Sequence, residues 1–149
     1  MRFMTRRNAR EWAVQVLFQM DINPGDTDRA LDWFWEDKNP DDRTRCFVED
    51  VIRGVLQHQK KIDSMIRSYT DHWALDRIGA VDRNIIRVAL YEMLFRQDIP
   101  PVVSINEAVD IAKQFSSNEA GKFVNGILDR ARKDLNRPDR EPVPENSVE

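Results

Sequence analysis

Apolar residues return at three- and four-residue steps over most of the chain, which is the spacing of helices that bury one face each. The first such segment spans about Thr5 to Met20 and is closed by the turn signal Asn23-Pro24-Gly25-Asp26. A shorter amphipathic piece lies around Ala30 to Trp35. Asn39-Pro40-Asp41-Asp42 then reads as a helix start, with Asn39 as cap, Pro40 in the first helical position and the two aspartates facing the positive end of the dipole. The helix it opens is expected to carry Phe47, Val51, Val55, Ile62, Ile66 and Tyr69 on one face. From about Gly79 to Gln97, Ile85, Ile86, Val88, Ala89, Leu90, Met93 and Leu94 put apolar groups on most sides of a helix, which predicts a central, buried one.

Ile99-Pro100-Pro101 is expected to end that helix, and Ser104-Ile105-Asn106-Glu107 has the S-x-x-E form of a capping box opening the next, through about Phe115. Ser116 and Glu119 repeat the spacing and predict a last helix running to about Leu135. The only strand-like run, Pro100 to Ile105, is too short and too close to a cap to count. The fold class is therefore all-α. Residues 138–149 hold three prolines and many charges and are expected to form a disordered polar tail behind one domain over residues 1–137.

Composition narrows the function. The chain has 149 residues, 41% apolar and 33% charged, enough for one globular domain with its own core. A single cysteine, Cys46, excludes an internal disulfide and suits a reducing compartment. No apolar run is long enough to span a membrane, and no apolar stretch follows the N-terminal charges as in a secretory signal. A cytoplasmic protein is expected. Two histidines and one cysteine give no metal-ligand spacing, and no phosphate-binding glycine loop or nucleophile elbow is present. A cofactor, a metal and an enzymatic activity are not expected.

Charge is unevenly placed. The first ten residues hold four arginines and no acid, leaving 19 basic against 26 acidic side chains in the rest. On a helical wheel Ala9, Ala13, Val16 and Met20 share the core face, flanked by Trp12 and Leu17. Arg7, Glu11, Val14 and Phe18 lie opposite, with Arg6 and Arg10 to one flank. Two readings stay open: a solvated helix end with Phe18 covered by another helix, or arginines that meet phosphates beside a partner surface marked by Phe18. In the last helix Ala120, Val124, Ile127, Leu128, Ala131 and Leu135 make the core face. There Lys122 and the edge aromatic Phe123 could hold a phosphate and stack a base, or form an ordinary charged face.

Four segments together carry a family resemblance: "RRNAREWAVQVLFQMD" (Arg6 to Asp21), "RVALYEM" (Arg87 to Met93), "SINEAVDIAKQF" (Ser104 to Phe115) and "KFVNGILD" (Lys122 to Asp129). In order and spacing, from about Arg6 to Arg132, the chain resembles the bacterial transcription antitermination factors of the NusB family. The resemblance implies a bundle of six to seven helices in two small subdomains, and no catalysis. It implies binding of the single-stranded boxA segment of ribosomal RNA leader transcripts together with NusE, the small-subunit ribosomal protein, within an antitermination complex on RNA polymerase. It places RNA contacts at Arg6, Arg7 and Arg10 and at Glu119, Lys122 and Phe123, and protein-partner contacts at Phe18 and Asp82. Three positions depart from the family pattern: Asn8 interrupts the basic run, Phe18 stands where tyrosine is common, and Gly121 precedes the Lys122-Phe123 pair. A homodimer that hides the RNA surface stays open, as do two other readings: a helical protein–protein adaptor without RNA, and a relative of the N-terminal domain of RNA cytosine methyltransferases.

Overall fold

The computed structural model describes residues 5–71, 75–135 and 137; the tail expected over residues 138–149, and His72, lie outside the described residues. Seven α-helices follow one another among them: α1 (Arg6–Ile22), α2 (Thr27–Trp35), α3 (Asp42–Gln57), α4 (Gln59–Tyr69), α5 (Ala80–Phe95), α6 (Pro101–Phe115) and α7 (Asn118–Asp134), with one 3-10 turn (Leu75–Arg77) before α5. The all-helical reading holds. No helix among the described residues is long and apolar enough to cross a membrane.

The starts of the helices differ from the sequence reading in instructive ways. Asp41, not Asn39, caps α3: its carboxylate accepts from the Thr44 amide at 2.9 Å and from the Thr44 hydroxyl at 2.9 Å. Those hydrogen bonds hold Asp41 below the ordinary carboxylate range. The single long helix expected from Phe47 to Tyr69 is two, broken at His58, whose ring stacks on Phe95 at 4.0 Å between centroids. Ser104-Glu107 is not a cap. Pro101 already occupies the first position of α6, where a missing N–H costs nothing, and Ser104 sits one turn inside the helix. Ser117 rather than Ser116 caps α7, accepting from the Ala120 amide at 2.9 Å.

Helix α5 is the hub: every residue from Asn84 to Met93 is buried, and the helix packs against α1, α3, α4, α6 and α7. Around it α1 packs on α2 and α3, and α7 on α4 and α6. Burying each of its isoleucines and leucines contributes roughly 1.5–3 kcal/mol relative to exposure. The α3–α5 contact needs Gly54, because a Cβ there would lie 2.1 Å from Cε1 of Tyr91. The Tyr91 hydroxyl is thereby brought to Asp50 (3.1 Å), and burial with that carboxylate pushes the phenol up to about 12.

Charged groups fix how α1 lies on this hub. Near its start, Arg10 donates to both oxygens of Glu92 at 2.8 and 2.7 Å, and Ser104 Oγ of α6 donates to the same carboxylate at 2.9 Å. The Arg10 and Glu92 side chains are only 5% and 1% exposed. Near its end, Asp21 accepts from Arg83 (2.7 Å), Arg87 (3.0 Å) and Asn84 (3.1 Å). Arg87 also makes a paired contact with Asp63 of α4 at 2.8 and 3.0 Å. Burial alone would raise the Asp21 carboxyl, but the hydrogen bonds from Arg83 and Asn84 and the charge of Arg87 outweigh it and hold the group below its ordinary value.

Two outcomes follow for stability. Arg10→Ala leaves Glu92 buried without its cation, and should cost roughly 3–5 kcal/mol in urea unfolding, whereas the joint change Arg10→Met with Glu92→Leu should recover most of it. A single substitution costing under about 1 kcal/mol would contradict the pair's role. Asp21 has a depressed folded pKa, so its contribution is present above the ordinary value of 3.8 and is lost as pH falls through and below it. Acid unfolding of the wild type should therefore steepen below about pH 4, and Asp21→Asn should be less stable at neutral pH with a flatter acid limb.

Candidate nucleic-acid interface

The start of α1 is set by Thr5 and Asn8. Thr5 Oγ1 accepts from the Asn8 amide at 3.1 Å, and Asn8 Oδ1 accepts from the Thr5 hydroxyl at 2.9 Å and its amide at 3.4 Å. Asn8 is thus the reaching partner of a capping box, the place a glutamate commonly fills. The box fixes Arg6 and Arg7 as the first two residues of the helix, where their charge opposes the dipole.

The three expected arginines separate. Arg10 is 4% exposed and committed to Glu92, so the expectation that it meets phosphates is corrected: it is a core residue. Arg6 is exposed and leans toward α3, its guanidinium 4.1 Å from the centre of the Phe47 ring, and among the described residues it makes no ion pair. Burial, with Arg96 and Arg10 nearby, lowers its pKa from the ordinary arginine value. Arg7 turns the other way, to α6. There it hydrogen-bonds Glu107 and, at 2.9 Å, Asp110, and the Glu107 bond chiefly raises its pKa. Arg6 and Arg7 therefore point to opposite flanks of α1, and only Arg7 faces the helix that leads to α7.

Helix α6 joins Arg7 to the second half of the expected site. Glu107, Asp110 and Lys113 stand three residues apart along it, about 4.5 Å of rise per step. The Lys113 stem lies against Gly121 of α7, which is buried and does not loosen the turn: a Cβ there would come 2.6 Å from Lys113 Cγ. Lys122 follows at once, exposed, with its ammonium 3.5 Å from Glu119, itself exposed in the first turn of α7. Phe123 is half-buried and lines a hollow of about 270 Å³ with Lys122, Gly126, Ile127 and Arg130 of α7 and residues 69–71 at the end of α4. Sequence reasoning missed Tyr69 and Arg130 there. Arg130 stands seven residues after Phe123, on the same helical face, which is a legible signal. Tyr69 is brought in only by tertiary packing. Arg130 donates to the Tyr69 carbonyl at 2.9 Å, and the Tyr69 hydroxyl donates to Asp134 at 2.7 Å. Burial and that carboxylate push the Tyr69 phenol up to about 12, so it presents a neutral ring at ordinary pH.

Phe18 and Asp82 lie toward the other end of α1. The wheel put Val14 and Phe18 on an outward face, but α1 is packed by α2, α3, α5 and α6, and Val14 is buried. Phe18 is half-buried and lines a hollow of about 540 Å³ with Gln15, Gln19, Phe34 and Trp33, the last 60% exposed. Ile22, one turn further on, is 65% exposed. Asp82 is half-buried in the first turn of α5, beside Arg83, and its Oδ1 accepts no hydrogen bond among the described residues. Trp33 was missed because its own helix buries Leu31, Phe34 and Trp35, and an outward tryptophan is indistinguishable from a core one in a sequence.

The NusB family profile matches residues 7–133. The transcription antitermination protein NusB of Bacillus subtilis (strain 168) is 45% identical over 132 residues, 89% of this chain and 98% of that protein. Among solved structures, T. maritima NusB has a TM-score of 0.83 at 37% identity, covering 91% of this chain and 96% of the other. A chain in a crystal structure of the antitermination factors NusB and NusE in complex with dsRNA has a TM-score of 0.80 at 27% identity, over 87% of this chain and 97% of that one.

Proposed function

The chain belongs to the NusB family, and on that premise we propose that it is a non-enzymatic antitermination adaptor. In this reading it binds the boxA segment of ribosomal RNA leader transcripts together with the ribosomal protein NusE, and so helps RNA polymerase read through terminators in the cytoplasm. One observation carries the reading: the surface that runs from Arg7 across α6 to Lys122 and ends in the Phe123 hollow, in a fold shared with a NusB crystallised with NusE and dsRNA. Cations along the track suit phosphates, and an aromatic in a hollow suits an unstacked base. A base paired within a duplex cannot enter such a hollow, which favours a single-stranded segment at this point. Arg6 adds charge from the opposite flank, and Glu119 borders Lys122. Phe18, Trp33 and Asp82, toward the far end of α1, would serve NusE. The hollow of Phe18 and Trp33 is also lined by Glu36, Asp37 and Lys38, a rim with one net negative charge that is compatible with a basic ribosomal protein.

With Arg6, Arg7 and Lys122 as phosphate contacts, log K for a short single-stranded RNA should fall against log salt with a slope near about −2, at about −0.7 per phosphate. Arg7→Ala should flatten that slope by about 0.7. Phe123→Ala should keep the slope and lose roughly 1–3 kcal/mol. The measurement is RNA affinity at several salt concentrations with NusE present. Arg7→Ala without effect on affinity or slope would remove RNA from this surface and favour a protein adaptor.

Phe18→Ala should weaken NusE binding by up to a few kcal/mol while leaving the affinity for RNA alone unchanged. Titration calorimetry with NusE reads the first, and a melting curve guards it. A fall in melting temperature above about 10 °C with unaltered NusE affinity would make Phe18 a packing residue.

A further inference from the structure

Lys113 and Gly121 meet where α6 and α7 cross, and the contact has an unusual form. Gly121 lies inside α7, not at a turn, and needs no special backbone angle. What it lacks is volume. A Cβ on it would meet Cγ, Cε and Cδ of Lys113 at 2.6, 3.2 and 3.4 Å. The lysine stem therefore lies flat along the strip of α7 that the missing side chain leaves open, and the residue as a whole stays exposed. Its neighbours on the same surface are committed: Arg7 to Glu107 and Asp110, and Lys122 to Glu119. Among the described residues Lys113 makes no ion pair. It also stands three residues beyond Asp110, which Arg7 meets, and lies against Gly121, the residue before Lys122.

We propose that Lys113 is a further phosphate contact of the RNA surface, bridging Arg7 and Lys122, and that Gly121 is the residue that positions it. The proposal rests on the reading of this surface as the RNA site. Two physical reasons support it. A lysine whose stem is already laid down loses less rotamer freedom on binding than one waving in solvent. And a cation without a carboxylate partner can meet a phosphate without first giving up an ion pair, as Arg7 must. The competing explanation is that Lys113 merely complements the C-terminal dipole of α6, since it lies in that helix's last turn.

The full chain, titrated with a short single-stranded RNA over a range of salt, separates these. Lys113→Ala should flatten the salt slope by about 0.7, which is about fivefold in affinity over the decade from 1 M to 0.1 M. Lys113→Arg should restore both. Gly121→Ala should weaken RNA binding in the wild type and have no further effect in the Lys113→Ala background. If Lys113→Ala lowers the melting temperature but leaves affinity and slope intact, Lys113 serves the helix end and the proposal is overturned. If Arg7→Ala weakens binding and Lys113→Ala does not, the proposal fails and the RNA reading stands. If Arg7→Ala, Lys122→Ala and Lys113→Ala all leave binding intact, both fail.

Discussion

The antiparallel seating of α1 on α5 rests on two charge clusters of opposite polarity, one buried and one part-buried. Near the start of α1 the helix supplies the cation and α5 the anion, Arg10 to Glu92; near its end α1 supplies the anion and α5 the cations, Asp21 to Arg83 and Arg87. A parallel α1 would set Arg10 against Arg83 or Arg87 and Asp21 against Glu92. The desolvation cost of buried like charges makes that alternative expensive, so the clusters select orientation as much as they stabilise it. Each cluster also enlists a third helix, α6 through Ser104 and α4 through Asp63. The hub and three of its neighbours, α1, α4 and α6, are thereby held in register by a handful of polar atoms inside an otherwise apolar core.

That seating decides which arginine of the opening run can serve a ligand. Once Arg10 is turned inward, the helical period of 3.6 residues leaves Arg6 and Arg7 on the flanks. The capping box of Thr5 and Asn8 then ends the helix just short of a further turn. A basic cluster that looks uniform as a string is divided by the fold into a core residue, a residue propped on Phe47, and a residue engaged with two carboxylates on α6. Asn8, which interrupts the basic run, serves as the capping-box partner of Thr5, so that position fixes the helix start and carries no charge.

Much of the fold was legible because burial imposes period. The all-round apolar run in α5, and the stripe Ala120, Val124, Ile127, Leu128 and Ala131 in α7, are buried as their spacing implies. Helix starts were less legible, since a serine followed three residues later by an acid has the same appearance when the serine is needed elsewhere. Ser104 answers to Glu92, twelve residues earlier, and no local pattern encodes that. The candidate site was readable in part for the same reason. Lys122 and Phe123 announce themselves as charge beside an edge aromatic, but Tyr69 arrives from another helix. The commitment of Arg10 depends on a glutamate on α5 whose burial appears only in three dimensions.

Helix α1 also separates the two proposed surfaces. Arg7 lies near one of its ends, and Phe18 with Asp82 near the other, about 16 Å apart along the axis at 1.5 Å per residue. Between them runs the contact with α5, clamped by ion pairs near both ends of α1. Energetic coupling between distant sites needs an element with two states that each ligand biases differently. A helix pinned by ion clusters at both ends is poorly suited to be one. Were RNA and NusE to bind as proposed, their cooperation would be simultaneous presentation: two ligands held on one pair of helices, any contact between them gaining from high effective concentration. On this argument the role of the buried charges in function is to keep the distance and the rotation between the two faces constant, which is the same work they do in the fold.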